Sequence, residues 1–116
     1  MLILMQVHKV IDRLIYCVYN NSAHNTLRLE WDENKREENI RKHGIDLNCA
    51  MDVLTDKNIV IYEDVRKKYG ETRYIAYGMH RTNVLCACYT MRGNVYRVIS
   101  LRKTHKKERK IRYDSH

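Results

Sequence analysis

Residues 84–101 read Val84-Leu85-Cys86-Ala87-Cys88-Tyr89-Thr90-Met91-Arg92-Gly93-Asn94-Val95-Tyr96-Arg97-Val98-Ile99-Ser100-Leu101. Two runs rich in β-branched and aromatic residues flank Arg92-Gly93-Asn94, and Gly-Asn is a strong turn signal. The pattern predicts an antiparallel hairpin. Its first run is the more apolar and predicts a central strand. In the second, strict alternation sends Tyr96, Val98 and Ser100 to one face and Val95, Arg97, Ile99 and Leu101 to the other. Upstream, Ile59 to Tyr62 and Arg73 to Gly78 have the same strand character, with turns at 66–70 and 81–83. Four strands joined by short turns predict an antiparallel meander.

Helices are expected on both sides of this meander. Leu29-Glu30-Trp31 is a short extended lead-in, Asp32 an N-cap, and Gly44 a C-terminal stop for a helix ending near His43. That helix is thinly apolar, with Ile40 its only strong apolar residue, and Lys35, Asn39 and His43 recur along one side. A second, shorter helix capped by Asp46 buries Leu47, Ala50, Met51 and Leu54. A third starts at Thr104 and runs to about Tyr113. Ahead of all this, Ile3, Leu4, Val7, Val10, Ile11, Leu14, Ile15 and Val18 fit one face of an amphipathic helix, followed by a polar linker over 20–27. The expected architecture is therefore α+β. Residues 29–116 form the domain, with two helices, a four-stranded antiparallel sheet and a C-terminal helix. Residues 1–28 are an extension that packs on the domain, covers a partner surface, or reflects an upstream start codon.

The chain has 116 residues, enough for one domain. Its net charge of +8 is unevenly spread: +2 over 1–28, −5 over 29–64 and +11 over 65–116. A localised basic face favours an anionic partner. No run of about 18 apolar residues exists, which argues against a transmembrane helix, and the N-terminus is a poor signal peptide. Cys17, Cys49, Cys86 and Cys88 form no zinc-type spacing, so reduced thiols in a cytoplasmic protein are expected, with no metal or other cofactor.

The basic stretch from Arg97 to Arg112 includes Arg102, Lys103, Lys106 and Lys107 against one acid, Glu108. Cations at several points along a chain suit phosphates. Arg73, Arg97 and Arg102 stand in or beside strands, where a guanidinium can fork onto a phosphate; pairing with Glu71 or Glu108 is the competing use of each. His43 is a candidate acid or base, or else a helix-end residue interacting with free carbonyls. Tyr113, on the basic helix, could stack on a base.

Four blocks in order carry a resemblance: Leu29 to Gly44, Tyr69 to Gly78, Tyr89-Thr90-Met91-Arg92-Gly93, and Arg97 to Lys103 with Glu108 and Tyr113. Over about residues 29–113 the chain resembles the BrnT toxins, RelE-like ribonucleases of type II toxin–antitoxin systems. The resemblance implies a compact α+β fold with a four-stranded antiparallel sheet and cleavage of RNA that arrests translation. It also implies neutralisation by a BrnA-like antitoxin with a ribbon-helix-helix DNA-binding part, in a two-plus-two heterotetramer that binds operator DNA through the antitoxin. Lys35, Asn39 and His43 fall on the family's first-helix signature, Glu71 and Arg73 on its Gly-Glu-x-Arg block, and Arg97, Ser100, Arg102 and Lys103 on its last strand. Lys67 stands where many members have His, Leu101 replaces a usual Ala, and Thr104-His105 replaces Ala-Thr.

For metal-free cleavage through the ribose 2′-hydroxyl, the expected catalytic set is Arg73, Arg97 and Arg102 as transition-state cations, with Glu71 or Glu108 as base and His43 as the other acid/base group. Lys35 and Lys103 would position phosphate, and Lys106, Lys107 and Tyr113 would bind RNA. The competing class is a basic nucleic-acid or ribosome binder that has lost the chemistry.

Overall fold

The computed structural model describes the backbone of residues 4–11, 14–20 and 26–116 and the side chains of 27–116. One mixed sheet has the order β1-β2-β3-β7-β6-β5-β4. Its strands are β1 (Leu4–Ile11), β2 (Leu14–Asn20), β3 (Thr26–Asp32), β4 (Val60–Asp64), β5 (Arg73–His80), β6 (Asn83–Arg92) and β7 (Val95–Lys103). The expected meander is β4 to β7, antiparallel throughout. Gly93, at the predicted hairpin turn, takes a φ of 62°.

Two expectations about the sheet are corrected. It is not four-stranded: over residues 26–116 it has five strands, because β3 adds alongside β7 in parallel, with Glu30 opposite Arg97. The residues expected as an N-terminal amphipathic helix instead form β1 and β2, an antiparallel pair that extends the sheet beyond β3. Ile, Val and Tyr dominate Leu14–Asn20, and β-branched and aromatic side chains fit a pleated surface better than a helix. β3 straddles the expected boundary at residue 28. Residues 21–25 of the expected linker, with 1–3, 12 and 13, lie outside the described residues.

Helix α1 (Glu33–His43) is bounded as predicted. The Asp32 carboxylate accepts from Asn34 N–H (2.8 Å) and Lys35 N–H (3.3 Å), and Gly44, at φ 68°, donates to Ile40 C=O. Its inward residue differs from expectation. Ile40 is 39% exposed, while Asn39 is buried. The Asn39 side-chain amide donates to Ile45 C=O (2.9 Å) and Leu101 C=O (2.8 Å), and its oxygen accepts from Leu101 N–H (3.1 Å). The β3–β7 ladder ends at Trp31 opposite Val98, so Asn39 supplies the partner that the departing strand no longer gives. Asp46 caps a 3₁₀ turn (Leu47–Cys49) that runs into α2 (Ala50–Leu54). Helix α2 lies so close to the sheet that a Cβ on Gly78 would stand 2.6 Å from the Val53 carbonyl oxygen.

The core between helices and sheet holds Leu29, Trp31, Leu47, Val53, Leu85, Ala87, Tyr89, Val98 and Leu101. Both Val98 and Leu101 are in it because β7 does not alternate strictly. Tyr89 pairs with Val98 and Cys88 with Ser100, leaving Ile99 as the extra residue of a bulge. Arg102 is thereby turned to the opposite face, beside Cys86.

The C-terminal segment covers part of that opposite face. Thr104 does not cap it: its backbone N–H and hydroxyl both donate to Val84 C=O (3.1 and 2.9 Å). Helix α3 (Lys106–Arg109) starts from His105 and widens into a π-helical turn (Lys110–Asp114). Tyr113 donates to Asp56 (2.6 Å) and packs against the cluster of Tyr77, Val84 and Cys86. None of the described helices is long and apolar enough to cross a membrane.

Candidate active site

Five of the predicted site residues come together. His43 from the end of α1, Arg102 and Lys103 from β7, and Lys107 and Glu108 from α3 line a groove of about 900 Å³, with Lys42, His105, Ile111 and Arg112. Its walls are positioned by features already described: Gly44 ends α1 at His43, the Ile99 bulge turns Arg102 outward, and the Thr104 bonds to Val84 set where α3 begins.

Arg102 and Glu108 form a forked ion pair, Nη1 to Oε1 and Nη2 to Oε2, each 2.8 Å. The Tyr77 hydroxyl also donates to Glu108 (3.1 Å), and His105 N–H lies 3.4 Å from it. Hydrogen bonding from Arg102 holds the Glu108 carboxyl down to about 2, against burial, which acts the other way. The same bond raises Arg102 further above its ordinary value. Burial, with Cys86 and Glu108 nearby, raises Tyr77. At neutral pH Glu108 is therefore a charged and weakly basic carboxylate with both oxygens engaged. Among the described residues, His43, His105, Lys103 and Lys107 have no ion-pair partner.

The Glu108 shift has a consequence for acid stability. An unfolded Glu takes up its proton near 4.5, while folded Glu108 resists until about 2. The stabilisation is thus complete above pH 4.5 and is lost as pH falls toward 2. Urea melts across that range should show a Glu108→Gln chain losing less stability on acidification than the parent; parallel losses would exclude the clamp as their source.

The other predicted residues lie elsewhere. Arg73 and Arg102 do not share a cavity. Arg73 lines a second pocket of about 360 Å³ with Asp64, Arg66, Lys67, Tyr69, Cys88, Ile99 and Ser100. It pairs with Glu71 (3.1 Å) and stacks on Tyr69, its guanidinium carbon 4.1 Å from the ring centre. Arg97 is only 17% exposed and stands 3.6 Å from the buried Glu30 carboxylate. Glu71 is on the exposed loop before β5. Lys35 and Lys106 are exposed on their helices, outside the groove lining. Tyr113 is engaged with Asp56, and burial with that hydrogen bond pushes its hydroxyl up to about 12. Lys42, His105, Ile111 and Arg112 line the groove without a place in the expected site; for His105 the signal was its position at the start of the basic helix. Cys49, Cys86 and Cys88 are free thiols, while the side chain of Cys17 lies outside the described residues.

The groove brings two arginines, one of them held by Glu108, three lysines and two histidines to one space. That chemistry suits an anion with a proton to lose on one side and a leaving oxygen on the other. A family profile described as the ribonuclease toxin BrnT of type II toxin–antitoxin systems matches residues 31–108. No curated protein matches the sequence.

Proposed function

Because the chain belongs to the BrnT family of ribonuclease toxins of type II toxin–antitoxin systems, we propose that it is an endoribonuclease whose scissile phosphate sits in the groove at Arg102. Membership implies an RNA substrate and an antitoxin partner. The observation that carries the placement is the convergence of Arg102, Lys103, His43 and His105 on one cavity.

The proposed reaction is metal-independent. His43 takes the proton of the ribose 2′-hydroxyl, whose oxygen attacks the adjacent phosphorus. Arg102 and Lys103 stabilise the charge that builds on the phosphoryl oxygens. The bond to the 5′-oxygen breaks as His105 donates a proton, leaving a 2′,3′-cyclic phosphate and a 5′-hydroxyl. Glu108 orients the Arg102 guanidinium. Lys107 contacts the flanking backbone, with Lys106 and Lys35 as outlying cations. In this reading Arg73 and Glu71 serve the RNA outside the groove, and Arg97, beside Glu30, supports the sheet face between them. Residues 29–116 act as the toxin domain, and 1–28 are an extension that lengthens its sheet. The toxin arrests translation in the cytoplasm and is neutralised by a BrnA-like ribbon-helix-helix antitoxin, two copies of each, with operator DNA bound through the antitoxin. An acidic antitoxin segment suits the +11 half of the chain.

Incubating the purified chain with an RNA oligonucleotide in EDTA should yield cyclic-phosphate and 5′-hydroxyl ends, and a single 2′-deoxy substitution should stop the cut at that position. His43→Ala should slow cleavage by about 10²–10⁴-fold. In cells, induction should stop growth with cut RNA, and co-expressed antitoxin should restore it. Salt-dependent binding without cleavage would mean a non-catalytic binding module instead.

A further inference from the structure

The pocket at Arg73 opens on the same sheet face as the groove. Arg73 projects from β5 at the row of Thr90 and Arg97, while Ser100 pairs with Cys88 one row closer to Arg102. Ser100 and Arg102 are two residues apart on β7, about 7 Å along a strand. That is close to the spacing of neighbouring phosphates on an extended nucleic-acid strand.

The pocket has donors without acceptors. Glu71 occupies the Nε of Arg73, and stacking on Tyr69 fixes the guanidinium plane. Among the described residues, the terminal nitrogens of Arg73 and the Ser100 hydroxyl have no hydrogen-bond partner. Lys67 is exposed, with its ammonium 5.5 Å from the centre of the Tyr69 ring. The one carboxylate in the lining, Asp64, is already satisfied. Arg66 forks onto it (2.8 Å twice) and the Tyr69 hydroxyl donates to it (2.9 Å). Its charge is offset within the pocket wall as that of Arg73 is by Glu71, which leaves Lys67 as the unpaired charge and the terminal nitrogens of Arg73 as open donors for an anion.

We propose that this pocket is a second phosphate subsite. The terminal nitrogens of Arg73, the Lys67 ammonium and the Ser100 hydroxyl hold the phosphate next to the one cleaved at Arg102. This rests on the reading of RNA as substrate. It gives Lys67, which stands where many members have His, a substrate-binding role, and makes the enzyme prefer RNA with at least two phosphates across the face.

The test separates this proposal from the cleavage reading by using 2′-O-methyl oligonucleotides, which bind but cannot be cut. Fluorescence titrations at several salt concentrations should show Lys67→Ala binding about tenfold more weakly. Its log–log salt slope should be shallower by about 0.7, one single-strand phosphate contact. Ser100→Ala should weaken binding with the slope unchanged, because it removes a neutral donor. Lys68→Ala makes the same charge change one residue away, outside this pocket, and should retain the parent slope. An unchanged slope for Lys67→Ala, or equal losses for Lys67→Ala and Lys68→Ala, would overturn the subsite. Loss of all RNA cleavage by the parent chain would instead overturn the cleavage reading.

Discussion

A chain carrying Asn39→Leu is expected to be about 4 kcal/mol less stable than the parent. The substitution keeps the volume but strands three buried backbone groups: the Ile45 carbonyl and the N–H and C=O of Leu101. Each unsatisfied buried group costs about 1–3 kcal/mol, and the sum is softened by local rearrangement. For a domain of this size the midpoint of thermal unfolding should drop by roughly 10–20 °C. Asn39→Asp should also destabilise, because a carboxylate cannot donate to the two carbonyls. Thermal and urea melts read both, and a loss under 1 kcal/mol for Asn39→Leu would mean that the latch is not what joins α1 to β7.

Arg102→Ala should lower kcat for RNA cleavage by about 10²–10³-fold, the effect of removing one preorganised donor from a developing anion. Arg102→Lys should recover little of it, since an ammonium cannot fork onto two oxygens. The fold should persist, because Glu108 retains the Tyr77 hydroxyl and the His105 N–H. Pairing Arg102→Ala with Glu108→Ala relieves the unpaired carboxylate, and a melt of both chains separates loss of chemistry from loss of structure. Full cleavage by a well-folded Arg102→Ala chain would remove the scissile phosphate from this groove.

Local chemistry was legible in the sequence wherever it also decides the structure. Asp32 and Gly44 bound α1, Asp46 caps the next turn, and Gly93 makes the hairpin, because caps and turns are settled within a few residues. β1 and β2 were misread because Leu14 to Tyr19 is apolar at both parities, so neither period dominates, and only β-branched content tips it to strand. The parallel pairing of β3 with β7 left no local trace. The role of Asn39 was hidden for the same reason: its partner is 62 residues away. Thr104 had the composition of a cap but was drawn to Val84 by the sheet. Of the site, the cationic character could be read from the sequence, while pairing with Glu71 or Glu108 stayed open for each arginine and the structure gives Arg102 to Glu108. The division of Arg73 from Arg102 could not be read there, because it depends on which rows of the sheet each strand occupies.

The parallel β3–β7 pairing and the Asn39 latch also set a clock. Helix α1 and its flanking strand leave the ribosome early, but their partners on β7 come about 60 residues later, which at 5–20 residues per second is roughly 3–12 s. Until Leu101 emerges, Asn39 lacks its β7 partners, and Arg102 and α3 are not yet in place beside His43. A chain interrupted before that point holds His43 without a groove around it. On the proposed placement of the scissile phosphate, the groove is assembled only once β7 and α3 have joined His43, so neither RNA nor an antitoxin meets a finished site before then.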